Sequence, residues 1–200
     1  EEHLFFKMLS PKSKIYTIYS KYNYHSQKVV GNHGIVFLSG KNKHNVLGIK
    51  WFLKYIFPLI VERWNDAKLY IGGAICNVLK DELNSSNVVL CGYVNNLASF
   101  YNKADVAINP VYEGTGLKIK TFEAISYDKV TLVHPHSMIG IYDKSNAPLF
   151  ASDIPKMWIG YLETIWDFSD TIISIKKRNM EYMESMNKFI INEYKLFMND

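Results

Sequence analysis

Cysteine is scarce in this sequence, with only Cys76 and Cys91 among 200 residues. Their separation matches neither a zinc-ligand pattern nor a redox motif. Two cysteines form at most one disulfide bond, so the sequence is not that of a small, disulfide-rich protein. We therefore interpret both as free thiols of a protein from a reducing compartment.

Long apolar runs and dense basic stretches are also missing. No apolar run approaches the roughly 18 residues that suggest a membrane-spanning helix, and we expect no secretory signal. The net charge is only +4, and the one run of three basic residues, 176–178, is typical of an exposed helix face. Nucleic-acid binding usually requires a basic stripe and is not expected.

Strand-like and helix-like segments alternate along most of the chain, with short connections between them. This alternation predicts right-handed strand–helix–strand units. The predicted fold class is α/β, a doubly wound, Rossmann-like parallel sheet flanked by helices. Its predicted core strands span 34–40, 67–73, 87–94, 105–111 and 129–135, and a separate strand is predicted over 14–20. The predicted helices span 3–9, 46–64 with a kink at Pro58, 74–83, 96–104, 116–127, 153–167 and 170–197.

One loop after a late strand carries most of the chemistry. Sheets of this kind bind ligands at the carboxyl ends of their strands, and the stretch "EGTGLKIKTFEA", residues 113–124, follows such an end. It lacks the Gly-Lys-Ser/Thr of a Walker loop. Ile119 stands where a dinucleotide fingerprint has its third glycine. Both of those nucleotide sites are therefore excluded.

The same stretch retains the features of an anion site. Gly114 and Gly116 allow a ligand to approach the backbone, and Thr115 suits a helix N-cap. The amides of the first helical turn would meet an anion at the positive end of the helix dipole. Lys118 and Lys120 add formal positive charge. An ordinary glycine turn before a capped helix is the alternative that these residues leave open.

The predicted helix should present two different faces. Ile119, Phe122 and Ile125 recur at the spacing of a core-facing stripe. Lys120 and Glu123 lie three residues apart on another face, where they can be neighbours. Glu123 lies about 10 Å along the axis from the helix start. That distance suits a carboxylate that holds the ribose of a bound nucleoside diphosphate, although an exposed Lys–Glu pair would have the same spacing.

An ordered series of segments resembles the donor-binding half of GT-B glycosyltransferases, in particular the retaining family-four group. "DVAINPVY", "GTGLKIKTFEA" and "ISYDKVTLV" resemble a strand of that group, its glycine loop with Lys-x-Lys and Glu-Ala, and the strand that follows. "GIVFLSG", "AKLYIGG" and "APLFASDIPKMWIGYLETI" resemble other segments of the group, in order. The resemblance extends over about residues 34–165.

This resemblance implies a site for a nucleotide-diphosphate sugar. Glu123 matches the glutamate that holds the ribose hydroxyls in the family. Lys118 and Lys120 match the Lys-x-Lys of one branch, and at least one of them would neutralise the diphosphate without a metal. The loop that meets the diphosphate or the sugar is matched by Gly114, Thr115, Gly116 and Leu117. The segment that lines the base is matched by Tyr93 and Val94. The first loop, near the phosphates or the sugar, is matched by Gly40 and Lys41.

Glu113 departs from the family pattern. The common pattern has seven residues between two glutamates, whereas nine residues separate Glu113 from Glu123. The position that matches the first family glutamate holds Thr115. Glu113 is kept as a candidate donor-binding residue, and a contact between Glu113 and the sugar is left open.

The resemblance also implies a domain organisation and a set of partners. Residues 1–33 would be the tail of a preceding domain and a linker, 34–168 the nucleotide-sugar-binding domain, and 169–200 a C-terminal helix. A glycan or lipid-linked acceptor would bind mainly to an N-terminal domain outside these residues, so we expect the isolated domain to be inactive in transfer. We expect a cytoplasmic location, with peripheral association at the inner face of the membrane left open.

Two functions of other classes stay open at this point. One is a nucleotide-sugar epimerase of the same architecture, which would need no acceptor. The other is a non-catalytic nucleotide-sugar-binding module. We expect no cofactor apart from the donor, and no metal at His134 and His136 because no third ligand lies at a suitable spacing.

Overall fold

The computed structural model describes residues 2–81, 83, 85–114 and 119–199. Its strands are β1 (Gly34–Leu38), β2 (Lys68–Gly72), β3 (Val88–Gly92), β4 (Val106–Asn109), β5 (Val130–Val133) and β6 (Leu149–Ala151). They form one six-stranded sheet in the order β3-β2-β1-β4-β5-β6, and every neighbouring pair is parallel. The doubly wound α/β class predicted from the sequence is confirmed.

Helices cover both faces of this sheet. They are α1 (Glu2–Leu9), α2 (Lys43–Tyr55), α3 (Phe57–Arg63), α4 (Cys76–Leu79), α5 (Leu97–Tyr101), α6 (Ile119–Ser126), α7 (Pro155–Trp166) and α8 (Ser169–Met198). The long helix predicted over 46–64 is divided at Ile56, and Pro58 lies in the first turn of α3, where its missing N–H costs little. None of the described helices is long and apolar enough to cross a membrane.

Alternate side chains of each strand point to opposite faces of the sheet. On β1, Ile35 and Phe37 pack in a cluster with α2, α3 and α7. Val36, between them, packs on the other face with residues of α5 and α6. α8 joins α6 in a third cluster. The central strands are therefore apolar on both sides, as a parallel sheet covered by helices requires.

Three details differ from the sequence predictions. Residues 14–20 are not a strand and run without strand pairing. Tyr19 in this segment, and Tyr22 just after it, pack on Phe122. β6 was not predicted because only three residues form it. Ile119 is 58% exposed, so the core position predicted for it is wrong, whereas Phe122 and Ile125 are buried. Ile119 is the first described residue of α6. It lies past the ends of the strands, whereas the later residues of the helix pack against the sheet.

Buried charges hold the segment before β1 against the amino end of the sheet. Lys176 Nζ of α8 lies 3.6 Å from Asp105 Oδ1 and 3.6 Å from Asp128 Oδ2. These aspartates precede β4 and β5. The second oxygen of Asp105 accepts hydrogen bonds from the amides of Val30 and Gly31, both at 2.8 Å. One ionic cluster thus joins three parts of the chain that are distant in sequence.

The first and last described parts of the chain lie side by side. The amide of Thr17 donates to Glu193 Oε2 at 3.1 Å, and the ring of Tyr16 packs on Phe197 with centroids 5.8 Å apart. Phe6 and Leu9 of α1 line an open groove of about 480 Å³ together with Phe197. Most of the large apolar side chains of α1 are exposed to solvent.

Candidate functional site at the β1–β4 crevice

A crevice is expected beyond the carboxyl ends of β1 and β4. The chain passes from β1 to β2 and β3 on one side, and returns to β4, β5 and β6 on the other. The loops after β1 and β4 therefore diverge to opposite sides and leave a space between them, which is where doubly wound sheets bind ligands. The loop after β1 contains Gly40, and the loop after β4 leads to Glu113 and Gly114.

A chain of hydrogen bonds joins Lys120 to the loop after β1. Lys120 Nζ of α6 donates to Asn45 Oδ1 at 2.8 Å. Asn45 Nδ2 donates in turn to the carbonyl of Gly40 at 3.0 Å. Asn45 is buried in the first turn of α2, which Asn42 caps by accepting a hydrogen bond from the Asn45 amide at 2.9 Å. A lysine from one side of the crevice is thereby fixed to the backbone of the other side.

Close backbone approaches keep the loops in place. A side chain at Gly73, just after β2, would bring its Cβ to 2.3 Å from the Ser39 carbonyl oxygen, and the φ of Gly73 is +93°. A Cβ at Gly48 of α2 would lie 2.9 Å from the carbonyl oxygen of Pro110 in the loop after β4. Only glycine permits these contacts, so the loops after β1, β2 and β4 are held close together.

Two histidines contact the loop after β4 from opposite sides. His44 Nδ1, at the start of α2, lies 3.0 Å from Glu113 Oε1. His136 Nε2, after β5, donates to the carbonyl of Gly114 at 2.7 Å. A Cβ on Gly114, whose φ is +100°, would meet the His44 ring at 3.0 Å. Glu113 therefore lies at the mouth of the crevice, paired with His44 across it.

Glu123 lies on α6 and is held by a buried tyrosine. Tyr101 Oη, at the end of α5, donates to Glu123 Oε1 at 2.7 Å. The Tyr101 ring stacks on Tyr127 with centroids 4.8 Å apart and planes 12° apart. Burial, followed by the charge of Glu123, holds the pKa of Tyr101 well above its ordinary value. Tyr101 consequently remains a hydrogen-bond donor to the carboxylate at neutral pH.

Lys120 and Glu123 each have a partner on another element. These partners are Asn45 on α2 for the lysine and Tyr101 on α5 for the carboxylate. The start of α6 is fixed further by Asn109, at the end of β4, whose Nδ2 donates to Thr121 Oγ1 at 2.9 Å. A cation and a carboxylate are thus positioned three residues apart along one helix.

The remaining predicted residues fall into three groups. Gly40 and Lys41 are exposed in the loop after β1, on the side of the crevice to which Lys120 is joined. Tyr93, after β3, is 84% exposed, and Val94 packs instead against an apolar cluster. The third group, Thr115, Gly116, Leu117 and Lys118, lies outside the described residues.

Sequence reasoning missed several residues that shape this site. Asn45 and Tyr101 belong to no recognisable motif, and neither was predicted to take part. The one available signal is the Asn-x-x-Asn spacing of Asn42 and Asn45, which marks a capped helix start rather than a binding residue. His44 was not among the predicted site residues either, yet it pairs with Glu113.

His134 belongs to the packing beneath the crevice. Its ring lies against Trp51 and Tyr112, with centroid distances of 5.5 and 6.0 Å. Burial lowers its pKa below the ordinary value, and its Nδ1 accepts a hydrogen bond from the amide of His136. Within the described ranges, no group of three or more histidine, cysteine or acidic side chains is arranged to hold a metal ion.

Comparison with protein families identifies the chain. The family model described as Glycosyl transferases group 1 matches residues 32–166. This chain belongs to that family. The match covers the whole sheet and the helices that flank the crevice, which agrees with the resemblance found in the sequence.

Two solved glycosyltransferases have a similar fold. One is a mutant of S. aureus TarM in complex with fondaparinux, alpha-GlcNAc-glycerol and UDP, at 16% identity and a TM-score of 0.70 over 96% of this chain and 42% of that one. The other is the pneumococcal O-GlcNAc transferase GtfA in complex with UDP and GlcNAc, at 16% identity and a TM-score of 0.65 over 99% and 42%. At this identity the likeness concerns the fold, which is one half of the GT-B type.

A curated relative comes from Klebsiella pneumoniae. It is an uncharacterized 44.6 kDa protein in the cps region, 28% identical over 118 residues. The match spans 54% of this chain and 29% of the relative. This chain therefore corresponds to less than half the length of the proteins it resembles.

Proposed function

We propose that this chain binds the nucleotide part of a sugar donor in the crevice between β1 and β4, as the donor-binding domain of a glycosyltransferase. The observation that carries the proposal is the hydrogen-bond chain from Lys120 through Asn45 to the Gly40 carbonyl. It fixes a cationic side chain at the point of the sheet where ligands bind in this fold. Membership of the glycosyltransferase family and the UDP bound to two proteins of similar fold support a nucleotide-diphosphate sugar as the ligand.

The proposed contacts follow from charge and position. Lys120 contacts the diphosphate, together with Lys118 and the amides of the glycine loop from Gly114 to Leu117. Glu123 accepts hydrogen bonds from the ribose hydroxyls, because a carboxylate is an acceptor only. Other donor-binding candidates are Gly40 and Lys41 at the phosphates, Tyr93 and Val94 at the base, and Glu113 near the sugar.

The proposed reaction transfers the sugar to an acceptor hydroxyl with retention of configuration. As the bond to the sugar breaks, negative charge grows on the departing nucleoside diphosphate. Fixed positive charge and backbone amides aimed at that position stabilise it, so the proposal requires neither a metal nor a further cofactor. A glycan or lipid-linked acceptor is bound mainly by a second domain, and these 200 residues alone bind the donor without efficient transfer.

Calorimetric titration of the chain with UDP, GDP and ADP tests the proposal. We expect at least one to bind, and we expect Glu123→Ala and Lys120→Met each to weaken that binding by about tenfold or more, as the loss of a charge-assisted hydrogen bond implies. Glu181→Ala and Lys177→Met are matched controls, because both residues are exposed on α8. Neither control should change the affinity by more than about twofold.

The same titration in excess EDTA tests the requirement for a metal. Because positive side chains and amides are proposed to neutralise the diphosphate, the affinity should stay within about twofold of its value in magnesium. A large loss of affinity in EDTA would reject the metal-independent proposal. Failure of all three nucleotides to bind, or an unchanged affinity of Glu123→Ala, would reject the proposed site itself.

A further inference from the structure

The hydrogen bond between Tyr101 and Glu123 joins two helices across the helix layer. Tyr101 is only 2% exposed, and its hydroxyl lies 2.7 Å from Glu123 Oε1. A hydrogen bond to a charged acceptor in a buried setting is stronger and more directional than one at the surface. The Tyr101 phenol therefore restricts the orientation of the Glu123 side chain.

A stack of rings holds that phenol in place. The Tyr101 ring lies on Tyr127, and the Tyr127 ring lies on His25 with centroids 4.6 Å apart and planes 11° apart. His25 is held by its amide, which donates to the carbonyl of Ser126 at 2.7 Å. Stacked rings of this kind resist rotation. The segment before β1 thus supports the side chain that contacts Glu123.

We propose that Tyr101 is a positioning residue of the donor site: its hydroxyl occupies Glu123 Oε1 and so presents Oε2 to a ribose hydroxyl of the bound nucleotide. The inference rests on the proposed function, because it assigns Tyr101 a part in nucleotide binding that acts through Glu123. Holding the carboxylate in advance lowers the cost of ordering it when the ligand binds. The contribution should therefore depend on the ribose hydroxyls.

The test uses a ligand with and without those hydroxyls. The ligand is the nucleotide among UDP, GDP and ADP that binds the unmodified chain most tightly. Its affinity and that of its 2′,3′-dideoxy counterpart are measured for the unmodified chain and for Tyr101→Phe. We expect Tyr101→Phe to weaken binding of the ribonucleotide about tenfold and binding of the dideoxy nucleotide less than about twofold. Tyr70→Phe is the matched control, because it removes a hydroxyl beside the same apolar cluster and should change neither affinity.

Two results would overturn the inference. One is an equal loss for both nucleotides, which would make Tyr101 a structural support only. The other is no loss for either. If the unmodified chain binds no nucleotide, or Glu123→Ala leaves ribonucleotide binding unchanged, the proposed function fails first and the role of Tyr101 fails with it.

A double variant tests whether Tyr101 acts on nucleotide binding through Glu123. Because Tyr101 acts only through Glu123, the loss should not add to that of Glu123→Ala. Tyr101→Phe in the Glu123→Ala background should therefore bind the ribonucleotide as Glu123→Ala alone does. A further loss of more than about threefold in that background would contradict the proposal.

Discussion

Individual residues shape the crevice in two ways. Some side chains reach from one element to another, as Asn45 does when it accepts from Lys120 and donates to the Gly40 carbonyl. Elsewhere the absence of a side chain matters, as at Gly73, where two loops meet through their backbones. The first kind of residue positions a charge at the crevice, and the second allows two loops to approach closely.

Gly73 provides a direct test of the second role. We expect Gly73→Ala to lower the free energy of unfolding by about 2–3 kcal/mol, because the φ of +93° is unfavourable for alanine and the added Cβ would overlap the Ser39 carbonyl oxygen. Urea unfolding measures the change.

Gly160 is the matched control for that substitution. It lies exposed within α7, and a Cβ there would meet nothing within 4 Å. Gly160→Ala should therefore raise the free energy of unfolding by up to about 1 kcal/mol, from helix propensity alone. If both substitutions were neutral, the close approach of the two loops would not be a feature of the protein in solution.

Local sequence predicts some of these residues and not others. Lys120 and Glu123 belong to a motif, so their place on one helix beside a glycine loop follows from spacing. Their partners do not, because Asn45 lies 75 residues from Lys120 and Tyr101 lies 22 residues from Glu123. Such pairs exist only once the loops of the sheet are brought together. Neither asparagine nor tyrosine has a chemistry that marks it for this task in advance.

The segment before β1 is stabilised differently from the helices and strands around it. It has no strand pairing between residues 14 and 33. Several of its hydrogen bonds go instead to side chains, such as those from the Val30 and Gly31 amides to Asp105 and from Tyr24 Oη to Asp128 at 2.7 Å. This segment also carries His25, so its attachment matters for the stack beside Glu123 as well as for stability.

Removing Asp105 should release this segment. We expect Asp105→Ala to lower the free energy of unfolding by about 3–5 kcal/mol, because it removes one partner of the buried charge of Lys176 and leaves two amides without an acceptor. Urea unfolding gives the magnitude, and proteolysis between residues 19 and 31 shows where the chain opens.

Asp66 offers a control of the same residue type. It pairs with His33 at 2.8 Å, and its side chain is 65% exposed. Asp66→Ala should therefore cost no more than about 1 kcal/mol. Equal effects of the two substitutions would mean that the buried ionic cluster does not hold the segment.

The elements themselves were largely predictable, with one instructive exception. Runs such as 34–40 and 129–135 contain a short, mostly apolar stretch, which is typical of strands buried on both faces. Residues 14–20 alternate just as a half-buried strand does, yet they form none. Instead, Tyr16 packs on Phe197 of α8 and Tyr19 packs on Phe122 of α6. A layer of helices therefore covers these side chains, and the sequence pattern does not distinguish such a layer from a sheet.

Over the whole molecule, the two ends of the sheet have different tasks. The carboxyl end bears the crevice, with Lys120 and Glu123. The amino end bears the buried charges, including Lys129, which is fully buried and donates to the Ala104 carbonyl at 2.9 Å. Burial and the nearby Lys176 lower the pKa of Lys129 to about 8, although two aspartates act in the opposite direction. The buried charges therefore lie at the opposite end of the sheet from Lys120 and Glu123.

The titration of Lys129 predicts a dependence of stability on pH. Between about pH 8 and its ordinary value of 10.5, the unfolded chain retains a proton that the folded chain has released. The free energy of unfolding should therefore rise with pH across this range, by up to about 3 kcal/mol from this group. Half-buried tyrosines such as Tyr24, whose pKa burial raises above 10.0, oppose the rise above about pH 10.

Lys129→Met isolates this contribution. Urea unfolding of the unmodified chain and of the variant is measured at several pH values between 8 and 10. The difference between their free energies of unfolding isolates Lys129, because the thiols and tyrosines titrate in both proteins and their contributions cancel. The difference should change with pH in the direction that favours the unmodified chain at higher pH. Lys177→Met, at an exposed position, should keep the original slope. Parallel curves for Lys129→Met and the unmodified chain would contradict the prediction.

The contact between the two ends of the chain has a topological consequence. The Thr17 amide donates a hydrogen bond to the Glu193 carboxylate, 176 residues away in sequence. The chain therefore returns, near its last described residues, to a point close to its first ones. A linker between residues near Thr17 and Glu193 would span little distance, and new ends could be placed in an exposed loop such as the one around Ser145. The strands can take the same order in the sheet even if their order along the chain is circularly permuted. We expect such a permuted chain to form the same crevice.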